Sequence, residues 1–340
     1  MTLKSYDPSN GDLVGEVPTT SPATLEAIVS TAHLAQKDWA KLEVTERLGY
    51  IQKAYEALSG KTDALAQLLS REMGKDIRRS SSEVMGVAQG GPYVAQEVAQ
   101  AIQPKKTHGG AIEYTPLGVA AVISPWNYPL AMANNLIIPA LVAGNAVVFK
   151  PSEETPLIAD EFAKVLNEHL PANVLQIVHG GRDLGKALVE ADVNIVAFTG
   201  SQAAGKDIMR RASSSLKRLV MELGGNDPMI VLPDADLTHA ARFAVASSFE
   251  NAGQMCTSTE RIYVHDSIAE KFEGLVADIA GQYQSGPWNQ PGVNIGPIIN
   301  DTQRGKIIDH IDDAVTKGAR VVFGDKDHPD RYVTPTVLAA

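Results

Sequence analysis

The sequence predicts an α/β fold of two domains, the first built on a parallel sheet whose strands are joined by helical crossovers. Three observations predict it. A chain of 340 residues exceeds what one hydrophobic core usually organises. Between residues 118 and 221, apolar runs of four to six residues alternate with helix-patterned segments, and strands buried on both faces read in that way. Residues of unusual type follow the ends of those runs (Trp126 and Asn127, Lys150, Gly200 and Ser201, Glu222), where parallel sheets bind their ligands.

Element by element, residues 1–18 read as a turn-rich strand pair punctuated by Pro8, Asn10 and Gly11. From Pro22 to about Gly74 apolar residues recur at helical spacing, as in Leu48, Ile51, Tyr55 and Leu58. A further helix is predicted over 81–101. A β-hairpin is predicted over 102–116, around Gly109 and Gly110. The parallel strands are predicted at 118–123, 146–149, 174–178, 195–198 and 219–221, with helices from about Leu130, over 156–170, near 183–190 and near 203–214. Thr155 ahead of Pro156 predicts a helix start with a capping hydroxyl and a proline whose missing N–H does no harm. From Asp227 a second βα region is predicted, with helices over 236–250, 267–282 and 302–317 and strands over 261–265 and 320–323.

Composition narrows the function. Thirty basic against forty acidic residues leave a net charge of −10, which disfavours nucleic acid and anionic membranes as partners. One cysteine excludes an internal disulfide framework and suits a reducing compartment. With no signal-peptide pattern at the start and no apolar run of membrane-spanning length, the expected location is cytoplasmic. The eight histidines, His328 among them, are scattered without metal-ligand spacing, so no metal is expected.

The single thiol, Cys256, is flanked by small and polar residues. Free cysteines usually pack as inert hydrophobes, yet this setting equally suits a nucleophile. Glu222 reads either as a surface carboxylate closing a strand or as a base that activates water. Residues 198–206 form a strand, a tight turn and a helix start. They nearly spell a P-loop, but Asp207 stands where a hydroxyl should hold magnesium. That leaves a plain βα turn or a pyrophosphate site at the helix N-terminus. Lys150 and Glu153 read as a solvated loop or as partners for the hydroxyls of an adenosine ribose. Trp126 reads as packing or as an indole donor, and Asn127 as a carboxamide able to stabilise an oxyanion by about 3 kcal/mol.

Taken together, the blocks PWNYP, GNAVVFKPSEETP, FTGS, MELGG and GQMCTSTER resemble the aldehyde dehydrogenase superfamily, in order and from about residue 3 to the last residue. The resemblance implies a Rossmann-like NAD-binding domain over 1–101 and 117–226, an oligomerisation arm over 102–116 and a catalytic domain over 227–340. It implies Cys256 as nucleophile, Glu222 as general base, and Asn127 with the Cys256 amide as oxyanion hole. Cofactor contacts would come from Ser124, Trp126, Lys150, Ser152, Glu153, Gly200, Ser201, Gly205 and Leu223. Tyr128, Met255 and Thr257 would line the substrate tunnel. The implied activity is oxidation of a small-molecule aldehyde to the acid through a cysteine thiohemiacetal and thioester, in a homo-oligomer (dimer or tetramer). NAD or NADP would accept the hydride, with NAD slightly favoured because Glu153 would repel a 2′-phosphate, while Lys150 and Ser152 could still accept one.

The resemblance also implies a longer protein. Members continue past the position of Ala340 with a Glu-x-Phe-Gly-Pro block and a final strand, so a C-terminally truncated relative is expected. Three rival readings follow: a CoA-acylating relative, a cysteine hydrolase, and a non-catalytic chain that binds dinucleotide or a partner. Glu222 favours hydrolysis of the thioester over transfer to CoA. No histidine near Cys256 favours a hydrolase.

Overall fold

In the computed structural model, which describes residues 1–325 and 331–340, the first elements are the strand pair β1 (Thr2–Tyr6) and β2 (Leu13–Pro18), with Ser5 and Val17 buried. Four helices follow: α1 (Pro22–Trp39), α2 (Val44–Ser59), α3 (Thr62–Met73) and α4 (Ile77–Ala101). The hairpin is short, with β3 (Lys105–Thr107) antiparallel to β4 (Gly110–Ile112) and every residue exposed.

The alternating region then runs β5 (Val119–Ile123), α5 (Pro129–Val142), β6 (Ala146–Lys150), α6 (Pro156–Asn167), β7 (Leu175–Ile177), α7 (Arg182–Glu190), β8 (Ile195–Thr199), α8 (Gln202–Ala212) and β9 (Arg218–Glu222). Its five strands form one parallel sheet in the order β7-β6-β5-β8-β9. Alternate residues of a strand face opposite sides, and here both sides are apolar. Val119, Ala121, Val148, Val196 and Phe198 pack with Leu25 and Val29 of α1, Leu188 of α7 and Ile208 of α8. Ala120, Val122, Val147 and Phe149 point the other way and are buried as well. Burying a valine or phenylalanine contributes about 1.5–3 kcal/mol, which is why runs without polar alternation become central strands. From β5 the chain steps outward to β6 and β7, then returns to β8 and β9 on the other flank. The switch in direction lies at β5 and β8, the topological position at which open α/β sheets bind ligands.

One expectation about α6 is overturned. Thr155 is the N-cap residue, but its side chain makes no capping bond and its buried Oγ1 has no hydrogen-bond partner. With φ −132° and ψ 57° its hydroxyl does not address the helix amides. Glu72 of α3 takes that role: its Oε1 accepts the Leu157 N–H at 2.9 Å and its Oε2 the Ile158 N–H at 2.6 Å.

The chain forms two compact units. The first comprises Met1–Ser5, Leu13–Glu72 and Ser80–Leu223, and the second Tyr6–Asp12, Met73–Arg79 and Gly224–Ala340. In the second unit β10 (Asp227–Val231) and β11 (Thr259–Val264) pair in parallel. They are joined through α9 (Leu237–Ser248), and α10 (Ala269–Ala280) packs beside it. Val231, Ala244, Val245, Phe272 and Val276 make the core. Asp236 caps α9 through the His239 N–H at 3.0 Å. α11 (Asp301–Thr316) and the antiparallel pair β12 (Arg320–Phe323) and β13 (Val337–Ala339) follow. His328 lies outside the described residues. Among the described residues no helix is long and apolar enough to cross a membrane, and no group of three or more His, Cys, Asp or Glu could hold a metal ion.

Candidate active site

Sheet register brings the first unit's candidates to one edge. Lys150 pairs with Ile123, Ile123 with Phe198, and Phe198 with Met221. Four strands therefore end level. Their last residues and the loops that leave them carry 124–128, 150–153, 199–201 and Glu222 side by side. Three inter-strand spacings of about 4.8 Å spread these residues over about 14 Å, the scale of an extended ligand rather than a single ion.

At one end of that edge, Lys150 is delivered by the last position of β6 and is almost fully buried, 3% exposed. Its Nζ donates to the Pro151 carbonyl at 3.0 Å and stands 3.5 Å from Glu153 Oε2. Burial pushes the Lys150 amine below the usual lysine range, and the Glu153 carboxylate partly restores it. Gly185 of α7 lies beside the lysine stem, where a β-carbon would meet Cδ and Cε at 3.6 Å in ordinary contact. Ser152 Oγ accepts the Glu154 N–H at 3.3 Å, turning the loop. Lys150 and Glu153 thus form the donor–acceptor pair that vicinal hydroxyls require.

Next along the edge, the Ser124 N–H donates to the Lys150 carbonyl at 3.2 Å, tying two of the loops together. The Ser124 hydroxyl is buried without a partner. Trp126, Asn127 and Tyr128 are half-buried. Asn127 Oδ1 accepts the Tyr128 N–H at 3.0 Å, which makes its NH₂ the donor end of the carboxamide.

On the far side of the switch, Ser201 caps α8 by accepting the Ala204 N–H at 3.3 Å. Gly200 is required by packing, because a β-carbon would lie 2.5 Å from the Phe198 ring. Its amide, however, donates to the Glu222 carbonyl at 3.0 Å. The Gly200 N–H is therefore already engaged within the sheet edge. Gly205 faces Leu223, whose Cδ2 would lie 2.8 Å from a β-carbon at 205. Those two residues fit each other and close the α8 turn. Glu222 is the last residue of β9, opposite Thr199, with its side chain exposed.

In the second unit Cys256 lies ahead of β11, near the N-terminal edge of the β10–β11 pair. It is a free, half-buried thiol; Met255 is half-buried and Thr257 exposed. The loop before it is held at several points. Asn251, Ala252 and Gly253 take φ of 51°, 58° and 74°, a left-handed run that a side chain such as that of Ala252 adopts only at a cost of about 1 kcal/mol. Arg79 secures its start, donating Nε to Glu250 at 2.8 Å while Nη1 reaches Asp76 at 2.6 Å and the Asn294 carbonyl at 2.7 Å. Gln254 is buried, accepting the Ile299 N–H at 3.0 Å and donating to the Asn251 carbonyl at 3.0 Å. A β-carbon at Gly225 would stand 2.7 Å from the Cys256 carbonyl oxygen, so the main chain at 225 lies directly against the thiol-bearing loop.

Arg79 and Gln254, which hold the Cys256 loop, carry no sequence signal of their own as site residues. Gln254 alone falls within a quoted block.

A family model described as the aldehyde dehydrogenase family matches residues 1–340. The chain superposes on an E. coli NADP dependent enzyme with a TM-score of 0.95 at 33% identity, covering 99% of this chain and 72% of that one. A mutant of aldehyde dehydrogenase C from Pseudomonas syringae, in complex with NAD+ and octanal, matches with a TM-score of 0.95 at 31% identity over the same shares. Succinate-semialdehyde dehydrogenase from Burkholderia pseudomallei matches with a TM-score of 0.95 at 32% identity, again over 99% and 72%.

Proposed function

Because this chain belongs to the aldehyde dehydrogenase family, we propose that it oxidises a small-molecule aldehyde to the carboxylic acid by way of a thioester on Cys256, with NAD(P)+ as oxidant. The observation that supports this most is the level ending of β6, β5, β8 and β9, which sets an ordered series of ligand-binding groups along one edge. The first unit's residues fit a dinucleotide. Lys150 and Glu153 suit the adenosine ribose, the start of α8 at Ser201 suits the pyrophosphate, and Gly200 lets the ligand approach the main chain. When bound, the nicotinamide supplies the hydride acceptor.

The chain's own residues carry the remaining steps. Cys256 gives up its thiol proton, which leaves to solvent directly or through Glu222; its Sγ adds to the aldehyde carbon, and the Asn127 NH₂ with the Cys256 amide stabilises the oxyanion. Loss of hydride from the thiohemiacetal leaves a thioester. Glu222 takes a proton from water, which attacks the thioester carbon. The C–S bond breaks, the acid departs and the thiol is regenerated. Tyr128, Met255 and Thr257 are assigned to the tunnel wall, and the exposed β3–β4 hairpin to subunit assembly.

The test is aldehyde turnover with NAD+ or NADP+, with and without CoA. Acid formation without CoA is expected, together with at least about a tenfold lower KM for NAD+ than for NADP+, because Glu153 repels a 2′-phosphate. Strict dependence on CoA would overturn the hydrolytic route, and cofactor binding without turnover would leave a binding protein. A second prediction concerns Gly225. Gly225→Ala sets a β-carbon against a main-chain oxygen that cannot swing aside, so the Cys256 loop must shift. Turnover is expected to fall about 100-fold with dinucleotide affinity kept; parallel kcat and Kd measurements check it.

A further inference from the structure

Helices α5 and α6 begin in the same unusual way. Their N-cap residues, Tyr128 (φ −134°, ψ 69°) and Thr155 (φ −132°, ψ 57°), make no side-chain cap, and each is followed by a proline at the first helical position. Proline has no N–H, so the first amides that need an acceptor are those of the next two residues. In both helices a glutamate from a distant helix supplies it. Glu83 of α4 accepts the Leu130 and Ala131 amides at 3.0 and 3.1 Å through one oxygen. Glu72 of α3 accepts those of Leu157 and Ile158, one on each oxygen. Both residues are buried, Glu72 at 0% and Glu83 at 7% exposure.

A buried carboxylate is costly, and an ordinary Ser, Thr or Asp at the N-cap would satisfy the helix alone. Burial raises the Glu72 carboxyl to about 7, against the two amides that draw it down. What the remote cap achieves is to release the N-cap position and the loop before it. The loops before these two helices are 124–128 and 150–155, and they hold every residue that the proposed site takes from β5 and β6.

We propose that Glu72 and Glu83 are positioning residues for the site: by capping α6 and α5 from outside, they fix the Lys150 and Glu153 loop and the Trp126 and Asn127 loop respectively. This rests on the dinucleotide reading of those loops. It predicts different effects at the two residues. Glu72 serves the loop assigned to the adenosine end, so its loss weakens cofactor binding. Glu83 serves the loop that carries the oxyanion donor, so its loss slows the chemistry.

Glu72→Gln keeps the shape but offers one acceptor oxygen in place of two, and it removes a buried charge, so the variant is expected to fold with a Tm at or above the parent's near neutral pH. Kd for NAD+, read by quenching of tryptophan fluorescence, is expected to rise about tenfold with kcat within about twofold. Amide hydrogen exchange without cofactor is expected to quicken at 152–158. Glu83→Met, which removes the acceptor at similar volume, is expected to lower kcat tenfold or more. Should that variant not fold, Glu83→Gln is measured instead, with a smaller kcat loss expected because one amide oxygen still accepts both N–H groups. A folded Glu72→Gln with Kd within twofold of the parent, or with unchanged exchange, overturns the inference alone. A parent that binds no dinucleotide removes the functional reading and this inference together.

Discussion

Cys256→Ser is expected to lower aldehyde oxidation by at least three orders of magnitude while dinucleotide affinity stays within about twofold of the parent. Such a loss corresponds to about 4 kcal/mol of transition-state stabilisation. The reason is chemical rather than structural. Sulfur and oxygen occupy similar positions on the same β-carbon, but the thiolate is a far more accessible nucleophile than the alkoxide of an aliphatic hydroxyl. The loop itself is held elsewhere, through Glu250 and Arg79, through Gln254 and against Gly225. Serine should therefore sit where cysteine sat, with a Tm change of a degree or two. The residues proposed to bind the cofactor belong to the other compact unit, which predicts an unaltered Kd. Steady-state kinetics beside a fluorescence titration checks both halves. Residual oxidation above about a tenth of the parent rate would remove Cys256 as the nucleophile.

The parallel sheet was legible for a physical reason. Strands buried on both faces carry no polar alternation, so β5, β6 and β8 stand out as short apolar runs, and the polar residues that end them mark the edge where the chain leaves the core. That edge is where Lys150, Trp126, Asn127, Ser201 and Glu222 are found. The supports of those residues were hidden because they act at long range in sequence. Glu72 lies eighty-six residues from Ile158, and nothing local distinguishes it from any other helical glutamate. Thr155 and Pro156 imitate a self-capped start closely enough to conceal the need for a partner. The Gly200 amide shows the converse. Its glycine signals a phosphate turn, but the register of β9 already uses that N–H. Likewise the left-handed run at 251–253 contains only one glycine, so its backbone reversal has almost no signature.

Glu222→Gln should separate the two halves of the reaction. The main chain of Glu222 is fixed twice, by its pairing with Thr199 and by the Gly200 N–H on its carbonyl, and its side chain is exposed. An isosteric change there is expected to alter stability by no more than about 0.5 kcal/mol. Hydride transfer does not need the carboxylate, so the first turnover should still produce a burst of reduced cofactor. Hydrolysis does need it, since a carboxamide cannot take a proton from water, and steady-state turnover should fall by about 10²–10⁴-fold. The acyl group then remains on Cys256, visible by intact mass as one adduct per chain that disappears slowly. If Glu222 instead serves to deprotonate the thiol, the burst itself slows and no adduct accumulates, because acylation has become the limiting step. Normal steady-state rates would remove Glu222 from both roles. Burst amplitude and adduct mass, measured on one sample, therefore assign the carboxylate to water, to the thiol or to neither.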